Sequence, residues 1–159
     1  MDQPTPTLEW IHVCDNAFRD ETGKMCLIGM FDSLYSRQLP GRLPLFSLAI
    51  GMTGGQGTYE LGMQVQLPSG KVIDMKMPPV ELPDPAFKVR AAARLTNFPF
   101  EEFGTYTFRL TLAGQPIAFP CHTLDHLEVK PEEASQTGPA EVPAGPGGPG
   151  FPPPPDFQQ

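Results

Sequence analysis

Cysteine is scarce in this chain, at three among 159 residues. An odd count cannot pair completely within one molecule, so Cys14, Cys26 and Cys121 do not make a disulfide framework of the secreted kind. Reduced thiols place the chain in the cytoplasm. No C-x-x-C pair occurs, which removes the usual half-site of a structural zinc. Bases are also short, 11 Lys and Arg against 18 Asp and Glu, for a net charge of −7. Nucleic-acid modules are normally basic, and that class is set aside. Nowhere do about 20 apolar residues follow one another, so no membrane span is expected. The opening MDQPTPT has neither the basic stretch nor the apolar run of a secretory leader.

Catalytic signatures are missing too. There is no G-x-S-x-G, and GMTGGQGTYE lacks the lysine and the helix that a phosphate cradle needs, so TGGQG reads as a flexible hairpin loop. Asp15 and Asp32 could be thought an acid/base pair. If the first two strands form a hairpin through DETGK, Asp15 falls at the turn and Asp32 near the opposite end, roughly 20 Å away at about 3.3 Å per residue. Glycosidic carboxylates stand roughly 5 to 9.5 Å apart, so the pair fails on distance. Among His12, His122, His126 and the cysteines, only His122 and His126 have a ligand spacing. On a strand they share a face with Glu128 and Lys130, which reads as surface imidazoles; no metal, cofactor or catalytic residue is expected.

Proline and glycine are abundant, but unevenly placed. From Pro131 to Gln159 there are nine prolines and five glycines in 29 residues, well above the roughly 25 to 30% that marks low-complexity sequence. Residues 131–159 therefore read as a disordered tail, 1–7 as a short arm, and 8–130 as the folded unit. Inside that unit two-residue alternation dominates. TYELGMQVQL puts Tyr59, Leu61, Met63, Val65 and Leu67 on one face, and GTYTFRLTL does the same with Tyr106, Phe108, Leu110 and Leu112. LEWIHVC, MCLIGMF and LFSLAIGM alternate less cleanly but end in turn chemistry, and LPSGK and AGQP mark hairpins. About eight short strands with a turn every ten residues or so spell an all-β sandwich. PDPAFKVRAAARLTNF is the one ambiguous stretch: Asp84 and Pro85 could start a helix, whereas a strand turns Phe87, Val89, Ala91, Ala93 and Leu95 inward. Strand agrees with its neighbours.

The run CDNAFRDETGKMCLIGMFDSL, then Leu39-Pro40 and later GTYTFRLTLAG, resembles an uncharacterised family of small bacterial β-sandwich domains known only as a domain of unknown function. The likeness spans roughly residues 8–130. It rests on Cys14-Asp15, Gly23-Lys24, Ile28 to Asp32, and Gly104-Thr105-Tyr106. It implies an immunoglobulin-like antiparallel sandwich and brings no activity or site residues.

Two surface features remain. As a strand, the ambiguous segment projects Lys88, Arg90 and Arg94 outward, and Arg109 with its threonines joins them if the two strands pair. Such a facet suits an acidic partner segment or the chain's own acidic tail, against the plainer reading of a solvated strand face. In the tail, Phe151 with Pro152, Pro153, Pro154 and Pro155 forms FPPPP, which reads either as an inert, solubilising end or as the kind of core that aromatic grooves bind as a polyproline helix. With no reactive constellation, the expected role is a non-enzymatic protein-binding or scaffolding module, its protein partner unidentified. The alternative is a structural subunit that self-associates through sheet edges or faces; an enzyme or metal-binding protein comes third.

Overall fold

The computed structural model describes residues 4–130. The proline-rich tail, expected to be disordered, and its Phe151 to Pro155 motif lie outside the described residues. Among the described residues twelve strands and no helix follow one another: β1 (Thr7–Arg19), β2 (Met25–Met30), β3 (Ser33–Ser36), β4 (Gly41–Thr53), β5 (Gly57–Tyr59), β6 (Leu61–Gln66), β7 (Val72–Lys76), β8 (Val80–Leu82), β9 (Val89–Phe100), β10 (Gly104–Leu112), β11 (Gln115–Pro116) and β12 (His122–Glu128). The expectation of about eight counted the long ones; β3, β5, β8 and β11 are only two to four residues long.

Two sheets face each other. One has the order β2-β1-β4-β9; the other runs β3-β12-β10-β6-β7, with β11 pairing β10. The small β5-β8 ladder stands apart. All ladders are antiparallel except β12 with β3. The core lies between the sheets, where Val13, Phe46, Leu48 and Ile50 of the first meet Val65, Tyr106, Phe108, Leu110 and Leu124 of the second, all fully buried. The alternating residues of TYELGMQVQL are the inward ones, as their spacing predicts.

The architecture is immunoglobulin-like: β1-β4-β9 and β6-β10-β12 take the relative places of strands A-B-E and C-F-G. Tyr106, near the start of β10, accepts a hydrogen bond from the Glu102 amide and donates one to the Glu102 carbonyl, each 3.0 Å. That is a tyrosine corner. Two residues on, where antibody domains place a disulfide cysteine, stands Phe108, and its ring meets Phe46 of β4 edge to face at 6.2 Å. Phe98, Phe100 and Tyr106 extend this cluster, so aromatic packing fills the space of the bridge that a cysteine-poor chain cannot make.

The ambiguous segment is strand. Asp84 does cap a turn, its Oδ1 accepting the Ala86 amide at 2.8 Å, but the chain then enters β9. TGGQG, expected as a hairpin loop, instead carries the chain from β4 to β5, whose partner is β8. Its neighbour Tyr59 is tied to the N-terminal residues, donating to the Pro4 carbonyl at 2.6 Å.

Candidate functional site

β4 explains why LFSLAIGM lacks alternation. All seven residues from Phe46 to Met52 are buried, so both faces of the strand are covered. Phe46, Leu48, Ile50 and Met52 face the core, and the small Ser47, Ala49 and Gly51 face away from it. Their cover is the first hairpin, bent back on its own sheet. β1 pairs β4 from Thr7 to Cys14 and then leaves it. Trp10 and Arg90 sit level, each opposite Gly51. Arg19 is nine residues past Trp10, about 30 Å on a straight strand, yet its Nη2 donates to the Arg90 carbonyl. The hairpin must therefore fold over the sheet. Cys14, Ala17 and Ala49 form a second buried cluster there, against Trp10, Met25, Leu27 and Ala92. Small residues make this seat possible: a Cβ on Gly51 would run into the Trp10 indole.

The tip of the folded hairpin encloses a groove of about 440 Å³ with the entry to β9, lined by Arg19, Gly23, Lys24, Met25, Phe87, Lys88, Val89 and Arg90. Four of those eight are cationic. Arg19 spends its donors on backbone carbonyls, Gly23 at 3.0 Å and Arg90, so its charge is placed but not neutralised. Lys88 pairs with Glu9 at 2.9 Å, the one ion pair among the described residues. Asp20 beside the groove is occupied by the turn, its Oδ1 accepting the Thr22 and Lys24 amides and the Thr22 hydroxyl. Those bonds hold its carboxyl below the usual range, led by the Thr22 hydroxyl. Met25, Phe87 and Val89 supply apolar walls. The arrangement suits a carboxylate-bearing chain lying between cations on an apolar floor.

The expected facet is only partly assembled. Lys88 and Arg90 line the groove, and Arg94 is exposed farther along β9, opposite Ser47. Arg109 does not join them. β9 pairs β4 in one sheet while β10 lies between β6 and β12 in the other, so Arg109 donates to Gln66 at 3.0 Å on a different surface. Arg19 and Lys24 were missed because their place depends on the hairpin folding back, and Phe87, expected to face inward on a strand, precedes β9 and is 44% exposed on the groove wall. The unalternating apolar run LFSLAIGM, with small residues at every second position, hinted that both faces of β4 are covered but not by what.

The acidic and soft-ligand residues are also placed differently from expectation. Cys14 pairs opposite Met30, so Asp15 lies opposite Gly29 inside the strand, and Asp20 holds the turn instead. Three residues separate Gly29 from Asp32, about 10 Å of strand and not 20 Å. His122 and His126 face the core with Leu124, not the surface with Glu128, because they oppose the inward Phe108 and Gly104. His126 is fully buried against Phe100, Phe103 and Tyr106. Its Nδ1–H donates to the Glu102 carbonyl at 2.7 Å, and its Nε2 shares a hydrogen bond of 2.9 Å with the Ser36 hydroxyl. This ties β3, β12 and the loop before β10 together. Burial, and secondarily the nearby His12, pushes the His122 imidazole down. The three cysteines are free; Cys14 is buried, and that burial raises its thiol. No three His, Cys, Asp or Glu among the described residues gather around a metal-sized point.

Among the described residues no helix is long and apolar enough to cross a membrane. No curated protein matches the chain. Residues 9–119, which include every residue of the groove, match the model of a family of unknown function, DUF6941, and the chain belongs to that family.

Proposed function

We propose that this chain is a non-enzymatic binding module of the bacterial cytoplasm whose groove receives an acidic segment of a protein partner. One observation carries the reading: Arg19, Lys24 and Arg90, none in an ion pair among the described residues, converge with the Glu9-paired Lys88 on a single concavity in a chain of net charge −7. An acidic protein that concentrates cations at one place focuses a positive field there, which draws an anionic segment and fixes its register. The overall negative charge repels extended polyanions, which argues against nucleic acid and anionic membrane as ligands. Free cysteines support the cytoplasm.

The test is a titration of a fluorescein-labelled peptide of alternating Glu and Ala into the full chain at low and physiological salt. Binding that weakens with salt is expected. Lys24→Glu with Arg90→Glu should weaken it by about tenfold, on the order of 1.4 kcal/mol. Arg109→Glu, on the opposite sheet, should leave it unchanged. Equal affinity for wild type and the groove variant would refute the site.

A further inference from the structure

Each sheet of the sandwich ends in two open edges, β2 and β9 on the first, β3 and β7 on the second. An open edge presents unpaired backbone N–H and C=O groups, and another strand adds to it unless something prevents this. Three of the four carry such a device. β9 has the exposed Arg90 and Arg94, Pro99, and Asn97 in a left-handed conformation (φ 51). β7 carries Asp74 and Lys76 within five residues, and β3 is four residues long. β2 is different. MCLIGM has no charge and no proline, and its Ile28 and Met30 are 54% and 61% exposed. Its irregularity, Gly29 at φ 66, falls near the end and leaves Met25–Ile28 in unbroken pairing with β1. By that register Cys26 and Ile28 share a face with Phe18, itself 40% exposed, while Met30 lies past Gly29 at the strand's end.

We propose that β2 is a self-association edge, pairing antiparallel with β2 of a second copy about a two-fold axis so that the two folded β1-β2 hairpins join in one four-stranded ladder. The strand's chemistry selects that occupant. A two-fold sets each residue against its own kind or a near neighbour, and like charges placed opposite destabilise a ladder. β2 is free of charge and meets that condition, whereas β7 and β9 would bring Asp74, Lys76, Arg90 or Arg94 close to their own copies. Size sets the strength. A six-residue edge is about 20 Å long and, with Phe18, Ile28 and Met30, covers only a few hundred Å² per partner, below the roughly 800 Å² of a stable interface. The dimer is accordingly weak, with a dissociation constant on the order of 10 to 100 μM.

Sedimentation equilibrium of the full chain from about 10 μM to about 1 mM reads this directly. The mass should rise from the 17.4 kDa monomer toward twice that value. Ile28→Lys should weaken association at least about tenfold, and Val72→Lys, the same change at a 44% exposed site on β7, should not. Thermal melts check that each variant folds; if Ile28→Lys does not, Met30→Lys at the more exposed position decides in its place. A monomer at every concentration overturns the proposal. So does an association that survives the β2 charge, or one that Val72→Lys abolishes equally.

Discussion

Removing a single oxygen from the tyrosine corner tests how the loop before β10 is held. Tyr106→Phe keeps the ring, which is fully buried against Phe98 and Phe100, so apolar burial and packing are unchanged. Two hydrogen bonds of 3.0 Å disappear, one in each direction between the hydroxyl and Glu102. The two losses are unequal. The Glu102 carbonyl keeps the His126 Nδ1–H at 2.7 Å, whereas the Glu102 amide has no other acceptor among the described residues. The cost is one net hydrogen bond plus one poorly satisfied donor, about 1 to 2 kcal/mol. For a domain of this size that lowers the melting temperature by about 4 to 10 °C. Differential scanning calorimetry of Tyr106→Phe beside Tyr35→Phe is the assay. Tyr35 is 63% exposed, and its hydroxyl removal should shift the transition by less than about 1 °C. Equal behaviour of the two variants would refute the argument that the corner contributes through its hydroxyl.

Gly41→Ala should destabilise by about 1 to 3 kcal/mol, because the added Cβ would stand 2.5 Å from His126 Nε2 and 2.7 Å from Ser36 Oγ; chemical denaturation measures it, and an unchanged midpoint would mean that β3 and β12 give way freely. His122 titrates below its ordinary value in the folded state, so the unfolded chain takes the proton first: its contribution to stability is constant above about pH 6.5 and is lost as pH falls from there toward the folded value. His122→Gln should flatten that part of the melting-temperature profile. Thiol titration should find Cys26 and Cys121 reacting quickly in the native protein, Cys14 slowly, and three thiols after denaturation. Gly51→Val should displace Trp10 from its seat and red-shift the fluorescence of this one tryptophan, with loss of acidic-peptide binding in the groove.

The long strands, the inward faces of β6 and β10 and the three tight hairpins were legible in the sequence, because alternation and turn chemistry act over a few residues. Tyr59 to Leu67 alternate as they must when one face meets the core and the other meets water. Gly23, Gly70 and Gly114 mark turns whose left-handed φ values of 84, 89 and 78 favour glycine. Tertiary structure alone decided the rest. Arg90 and Arg109 stand on strands close in sequence, yet the chain crosses from one sheet to the other between β9 and β10, so alternation, which is blind to strand order, joined residues that the fold separates. His122 and His126 looked like surface residues because polarity was read as exposure; buried imidazoles are tolerated here since carbonyls of Phe31 and Glu102 meet them. The groove owes its existence to a hairpin folding onto its own sheet. That step rests on Ala49, Gly51 and Ala92 leaving room for Trp10, Met25 and Leu27, contacts between segments up to about 80 residues apart that no local pattern encodes.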